Sequence, residues 1–529
     1  MKYAMDMKVN VKPVFTNVVH SAAWEGPCRV GIPEVIDPIY EVRTGKEKFK
    51  VWSQGLRSNL NGCANVMEPY YLEMDESFYI KDSIFEELSQ DADEVDIYLL
   101  NYRVPGIERF GKAVSELNFD QPHPMDVIGY YKSIGLEAYM AHDFDEYNDI
   151  LRYLQVKKAI ANTNVLILSA GRNSPVGVYT SIPDLHGLWE RYGVRNIKVP
   201  FYEIFDRMDE LQVTPEMEAE ANTITAGATA CSVSREDMLQ DIKFFHAVRG
   251  LMEKYGCNAF TSSCMEMCAS KRPQKYRITP CLTHTINKDE KLPSACEEDM
   301  SVLMAMMVLM YLSKQSAYMG NPTLIPKGTK TARELGIAES IAAPDAVIDE
   351  DLLEIYHAVP ARFMEGFNQE PMPYTLGHFT HQGFGTKVQI DLSKGKTRTV
   401  TIGRFDRSGK KMIVTRGEIV GCAFRETFCS PMVYFRIPGG VRDYRLALAE
   451  GSYGHHQVVV YGDYVKDVQR LGKMVGFEVE MFPPAKMTGI PELPELPVAK
   501  DSTEADLFRA KNRSISSIAP SSGAVNKKL

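Results

Sequence analysis

Three consecutive carboxylates, Glu297, Glu298 and Asp299, stand at the mouth of an apolar run from Met300 to Leu312. A carboxylate beside so much apolar matter is costly unless a cation or several hydrogen bonds compensate it. Capping is the simplest explanation. Asp299 or Ser294 could accept from the first backbone N–H groups of a helix, whose positive end favours acids. That covers one or two of the three. The segment from Met300 is apolar on every helical side, so it belongs in a core, and the acids sit at that core's edge. A divalent metal is one cation that could neutralise them there.

Histidines are scarce, 11 in 529 residues, so their grouping is informative. GHFTHQGFG places His378 and His381 among glycines, and GSYGHHQVVVYGD places His455 beside His456. Adjacent residues on a strand point to opposite faces, so only one of that pair can face a given site. Taken singly, each histidine reads as an ordinary core or loop residue. Two glycine-flanked histidine loops and a buried acidic turn together offer carboxylate, amide and imidazole ligands. That set suits a hard or borderline ion such as Mn²⁺ or Mg²⁺.

The elements that must position these groups change character along the chain. EVDIYLLNY (Glu94–Tyr102) reads as a strand, MDVIGYYKS as a continuation of that alternation, and AHDFDEYNDILRYLQVKKAI as a helix. NVLILSAGR and NIKVPFY are further strands. Ser234 with Asp237 three residues on has capping-box spacing, and Met238, Ile242, Phe245, Val248 and Met252 then share a helix face. YGCNAFTSS ends that helix and begins a strand. Strands alternating with helices predict parallel sheets. From about Lys387, KVQIDL, RTVTIGRF, KKMIVTRGEIVG and PMVYFRIP are β-rich and separated by turn residues, which predicts an antiparallel sheet or barrel. The expected organisation is a first α/β domain over residues 1–155 and a second Rossmann-like α/β domain over 156–315. A β-rich domain over 316–497 and a flexible polar tail over 498–529 follow.

Composition excludes several classes. The net charge of -9 argues against a general nucleic-acid surface. Ten cysteines in a chain this long are too few for a disulfide scaffold and suit a reducing, cytoplasmic setting. The start, MKYAMDMKVNVKP, lacks the apolar stretch of a signal peptide, and no apolar run is long enough for a membrane span. No G-x-G-x-x-G follows a strand, so a dinucleotide site has no support. GRFDRSGKK imitates a phosphate loop but lacks the hydroxyl residue after Lys, and reads as a hairpin. Cys264 and Cys268 are one pair without the second pair that a zinc knuckle needs.

ACEEDM, AYMGNP, HAVPARFMEG, THQGFG and GHHQVVVYGDY occur in an order that resembles the L-fucose/L-arabinose isomerase superfamily, in particular its fucose-isomerase-like branch. The resemblance runs from about Asn164 to Phe477. It implies two Rossmann-like α/β domains followed by a C-terminal β-rich domain, assembled as a trimer or hexamer. It also implies aldose–ketose isomerisation through a cis-enediol, with Mn²⁺ or another divalent cation such as Mg²⁺ or Co²⁺. Carried over by position, Glu297 of the A-x-E-x-D pattern, Asn321 of YMGNP and His456 of GHH are the metal ligands, with Glu297 and Asn321 at the catalytic positions. His357, His378, His381 and His455 fall in stretches that contact substrate. Fucose isomerases have aspartate where this chain has Asn321. An amide can bind an ion but cannot move a proton, so acid–base work falls to Glu297, aided by Glu298, Asp299 or a water. The expected substrate is a fucose- or arabinose-like sugar or a C6-modified one such as sulfoquinovose. A sulfonate would need a cation, for which Arg29, Arg172 and Arg425 are candidates. An epimerase or lyase on the same scaffold, or a sugar-binding protein without catalysis, are the alternatives.

Overall fold

The computed structural model describes residues 3–484 except 20–37, 76, 78, 118–122 and 172–174. The tail expected over 498–529, Arg29 and Arg172 lie outside the described residues. The described chain forms two compact units, residues 7–155 and residues 156–484 with residues 3–6.

The first unit is built on a parallel sheet. Val9–Val19 pairs with Ala64–Val66 and Tyr70–Asp75 along one edge and with Ile97–Leu100 on the other. Ala113–Leu117 and Ala138–Ala141 follow in order. MDVIGYYKS is not a strand. It lies in the helix His123–Ser133. Pro124 suits the first turn, and Val127, Ile128 and Tyr131 recur at helical spacing to form the buried face. A short apolar segment carries both periodicities, and packing chose the helical one.

Glu116 of this sheet is fully buried. His123 Nε2 lies 3.0 Å from its carboxylate, yet burial lowers the histidine's own affinity for a proton. Burial pushes the Glu116 carboxyl up to about 8. A raised folded pKa means that the unfolded chain loses this proton first, so the cost of keeping Glu116 grows as pH rises from about 4.5 to about 8. Glu116→Gln therefore stabilises the chain by up to about 4 kcal/mol at pH 8 and by almost nothing at pH 4. Urea unfolding at the two pH values measures this, and an equal effect at both sinks it.

The second unit holds a four-stranded parallel sheet in the order Ser294–Cys296, Ala259–Ser262, Asn164–Ser169, Arg195–Pro200. Ser234 caps the helix Arg235–Lys254 as its spacing predicts, accepting from the Asp237 N–H at 3.1 Å. The helix Met300–Ser313 is buried at every position from Met300 to Leu312, so its methionines are core filling. Position 315/316 falls in the link between this helix and the first strand of an antiparallel sheet, within one compact unit.

That antiparallel part is a barrel. Thr399–Phe405, Gln457–Tyr461, Tyr318–Ile325, Leu352–Tyr356, Met432–Arg436 and Lys411–Ala423 pair in sequence, and the last pairs back to the first. Glu478–Phe482 adds to Lys411–Ala423 in parallel. GRFDRSGKK is the hairpin joining Thr399–Phe405 to Lys411–Ala423. No described helix is long and apolar enough to cross a membrane.

Candidate active site

The three acids emerge from the C-terminal end of Ser294–Cys296, at the strand ends of the parallel sheet, where open α/β sheets place their ligands. The chain turns sharply into the buried helix. Glu297 and Glu298 both adopt left-handed backbone conformations, with φ of 65° and 53°, which a non-glycine residue adopts only when its surroundings enforce it. The enforcing contacts are visible. The Glu298 N–H donates to Ser262 O at 2.8 Å. Ser181 Oγ donates to Glu298 O at 2.9 Å and accepts from the Met300 N–H at 3.0 Å. Asp299 caps the helix, accepting from Ser301 N at 3.1 Å and Val302 N at 3.2 Å.

The acids separate by the company they keep. Asp299 is fully buried against the equally buried Arg404, with Nη1 at 2.6 Å and Nη2 at 3.2 Å from its two oxygens. Burial opposes its ionisation, but Arg404 and His456 outweigh this and hold the carboxyl well below the usual range. Glu298 pairs with Lys198 at 3.0 Å, and burial raises its pKa despite the ammonium. The cations that compensate these two acids are thus side chains of the protein. Glu297 alone is matched only by imidazoles. His357 Nε2 lies 3.4 Å from Oε1, and His456 Nε2 lies 3.7 Å from Oε2. Burial resists ionisation here too, and is overcome by the His357 hydrogen bond and the neighbouring histidines, which bring the Glu297 carboxyl down to about 2.

The two imidazoles have different roles. His357 Nδ1 accepts from the Ala358 N–H at 3.0 Å, so the neutral ring carries its proton on Nε2 and donates to Glu297. Burial keeps that ring neutral by lowering its pKa, against the pull of Glu297. His456 is the reverse. Its Nδ1 lies 2.9 Å from Asp299 Oδ2 and donates to it, so in the neutral ring Nε2 is the lone-pair nitrogen, on the Glu297 side. That Nε2 is buried and has no hydrogen-bond partner. A carboxylate behind one ring nitrogen and a free lone pair on the other is how proteins present histidine to a metal. His456 is itself left-handed, with φ of 56°, and Gly454 makes the preceding turn possible. A Cβ there would meet Thr180 Oγ1 at 2.0 Å. His455 completes a set with Glu297 and His456 whose ligand atoms all lie within 4.8 Å. Burial and the adjacent His456 bring its pKa down to about 4, so it too is uncharged at neutral pH.

Asn321 lies on the barrel strand between those leading to the two histidines. It stands opposite Tyr356, and its neighbour Gly320 stands opposite Gln457. Its amide Nδ2 donates to Tyr356 O at 3.5 Å. His378 and His381 lie on a different sheet and loop. His378 ends Tyr374–His378, and His381 packs edge-on to Phe428 at 4.7 Å. Neither belongs to the Glu297 cluster. Arg425 lies over the Tyr356 ring at 5.1 Å. A cavity of about 390 Å³ opens along the same strand ends, lined by Val176, Phe201, Tyr202 and Glu266 among others, and includes none of the cluster.

Sequence reasoning missed Arg404 and Lys198. One signal for Arg404 was available: it shares strand parity with Val400 and Ile402, so an arginine falls on the apolar face of RTVTIGRF.

Fold and site together define a parallel α/β sheet joined to a β-barrel, with a carboxylate–imidazole cluster at the strand ends. The chain is similar to the sulfoquinovose isomerase of Alkalicoccus urumqiensis, 20% identical over 334 residues that cover 62% of this chain and 67% of that protein. No protein-family model matches it. Among solved structures, an ABC transporter solute-binding protein from Burkholderia multivorans is 13% identical, covering 58% of this chain and 94% of its own, with a TM-score of 0.15. One from Actinobacillus succinogenes with bound D-allose is 13% identical over 58% and 93%, with a TM-score of 0.14. Neither structural likeness carries weight at such scores.

Proposed function

We propose that the protein is a divalent-metal-dependent aldose–ketose isomerase acting on a monosaccharide, with sulfoquinovose or another C6-modified sugar as the first substrate to test. The observation that carries the reading is the pairing of Glu297, a buried carboxylate matched only by imidazoles, with His456 Nε2, which is buried without a hydrogen-bond partner. These groups fit a cation. Glu297, His456 and Asn321 would hold it, with His455 as a further imidazole. When bound, the ion supplies Lewis-acid stabilisation of the negative charge that develops on the sugar's first two oxygens. Glu297 moves the proton between C1 and C2, since Arg404 and Lys198 occupy the other two acids. His357 orients Glu297 through its Nε2–H. Asp299 keeps the His456 tautomer that leaves Nε2 unprotonated. Arg425 is the described candidate for a sulfonate. The relative's activity and the motif order in the sequence support the same chemistry. Assembly as a homo-oligomer belongs to this proposal.

The test is a panel of aldoses and ketoses, 6-sulfo and 6-deoxy sugars included, incubated in D₂O with Mn²⁺-loaded protein and followed by NMR. The expected result is interconversion of one pair with deuterium entering at the carbon that exchanges its hydrogen. Removing the ion with EDTA stops turnover and lowers stability by about 3 kcal/mol when the ion was near a hundredfold over its Kd. Interconversion without deuterium, or turnover untouched by EDTA, refutes the mechanism.

A further inference from the structure

We propose that Cys264, Cys296 and His284 form a second cation site, selective for a thiophilic ion such as Zn²⁺ or Cd²⁺. Their ligand atoms all lie within 4.8 Å of one another, and all three residues are buried. The two sulfurs are 2.8 Å apart, well inside the contact distance of unbonded sulfur atoms, and His284 Nε2 lies 4.0 Å from Cys264 Sγ.

The fold brings them together from three elements. Ser262 of the strand Ala259–Ser262 is in register with Cys296, the last residue of the neighbouring parallel strand. Cys264 follows two residues later at the start of a short helix, which sets its sulfur against that of Cys296. His284, on the helix Cys281–Asp289, is oriented from behind. Its Nδ1 lies 2.8 Å from Ser294 Oγ, which also accepts from Asn287 Nδ2 at 3.3 Å. Its ring stacks on Phe260, with centroids 5.2 Å apart. With the Nδ1–H given to Ser294, the Nε2 lone pair faces the thiols, the arrangement that presents histidine to a metal.

Sulfur–metal distances of about 2.3 Å place two thiolates on one tetrahedral ion roughly 3.8 Å apart, so each sulfur has about half an ångström to move, within reach of side-chain rotation. Two thiolates also balance the charge of a buried dication, and each thiol that binds gives its proton to solvent. Cys296 also lies within 4.8 Å of the Glu297 and His357 ligand atoms, so the two sets adjoin, and the softness of two sulfur ligands is what distinguishes this one. The thiol partner of Cys264 is thus Cys296, 32 positions away in the chain, and not the neighbouring Cys268 of the sequence. The inference stands without the isomerase reading.

The test is titration of Cd²⁺ into metal-free, phosphine-reduced full-length protein, following thiolate-to-cadmium charge-transfer absorption in the ultraviolet, with bound cadmium counted by elemental analysis. One thiolate-bound equivalent is expected. The band disappears in Cys264→Ser and in Cys296→Ser and persists in Glu297→Gln. Ser294→Ala keeps both thiols and weakens binding about tenfold, which tests the site even where a cysteine variant fails to fold. No band in the wild type overturns the proposal. So does a band that survives loss of both Cys264 and Cys296, or one that vanishes in Glu297→Gln. None of these results touches the isomerase reading, which is judged by turnover of sugar.

Discussion

Glu297→Gln lowers kcat by at least about a thousandfold on any sugar the protein interconverts, roughly 4 kcal/mol of transition-state stabilisation. The amide keeps the shape of the side chain and can still accept from His357 Nε2. It loses the charge that matches a cation and the capacity to carry a proton. Both other acids of the turn are spoken for, Asp299 by Arg404 and Glu298 by Lys198, so neither takes over. The depressed carboxyl means that the charge of Glu297 also stabilises the fold, so the variant loses some stability and turnover is read on samples shown to be folded. NMR kinetics with metal analysis of the same sample make the check. An unimpaired kcat in a folded, metal-loaded variant ends the assignment.

Arg404→Met has the largest expected effect on stability, a loss of about 3–5 kcal/mol. Both members of the Asp299–Arg404 pair are wholly buried. Removing the guanidinium strands a carboxylate that also caps a core helix and fixes His456. Asp299→Asn added to Arg404→Met recovers part of the loss, because the stranded charge is gone while the cap oxygen remains. The sign with pH follows from the depressed carboxyl. Its stabilisation is in place above the unfolded value, about pH 4, and fades as pH falls further. Denaturant midpoints at neutral pH measure the effect. A single variant as stable as wild type would mean that the pair contributes little.

Much of the architecture was legible because it rests on local patterns. A fourteen-residue helix that is apolar on every side has only a core to go to, and turn-punctuated β-rich segments close into a barrel. Ser234 announces its helix. The failure at MDVIGYYKS marks the limit of such patterns, since eight or nine residues with scattered apolar positions satisfy strand and helix alike.

The site divides in the same way. From the residues themselves came the expectation that acids at the edge of a core require a cation. Which acid lacks one was decided in three dimensions, because Arg404 reaches Asp299 across 105 positions of chain. The roles of His357 and His456 were likewise invisible in one dimension. A backbone N–H makes the first a donor toward Glu297, and a distant carboxylate takes the Nδ1 side of the second. Left-handed backbone at Glu297, Glu298 and His456 has no signature in side-chain identity, because it is imposed by the hydrogen bonds and packing around these residues rather than by their own preferences.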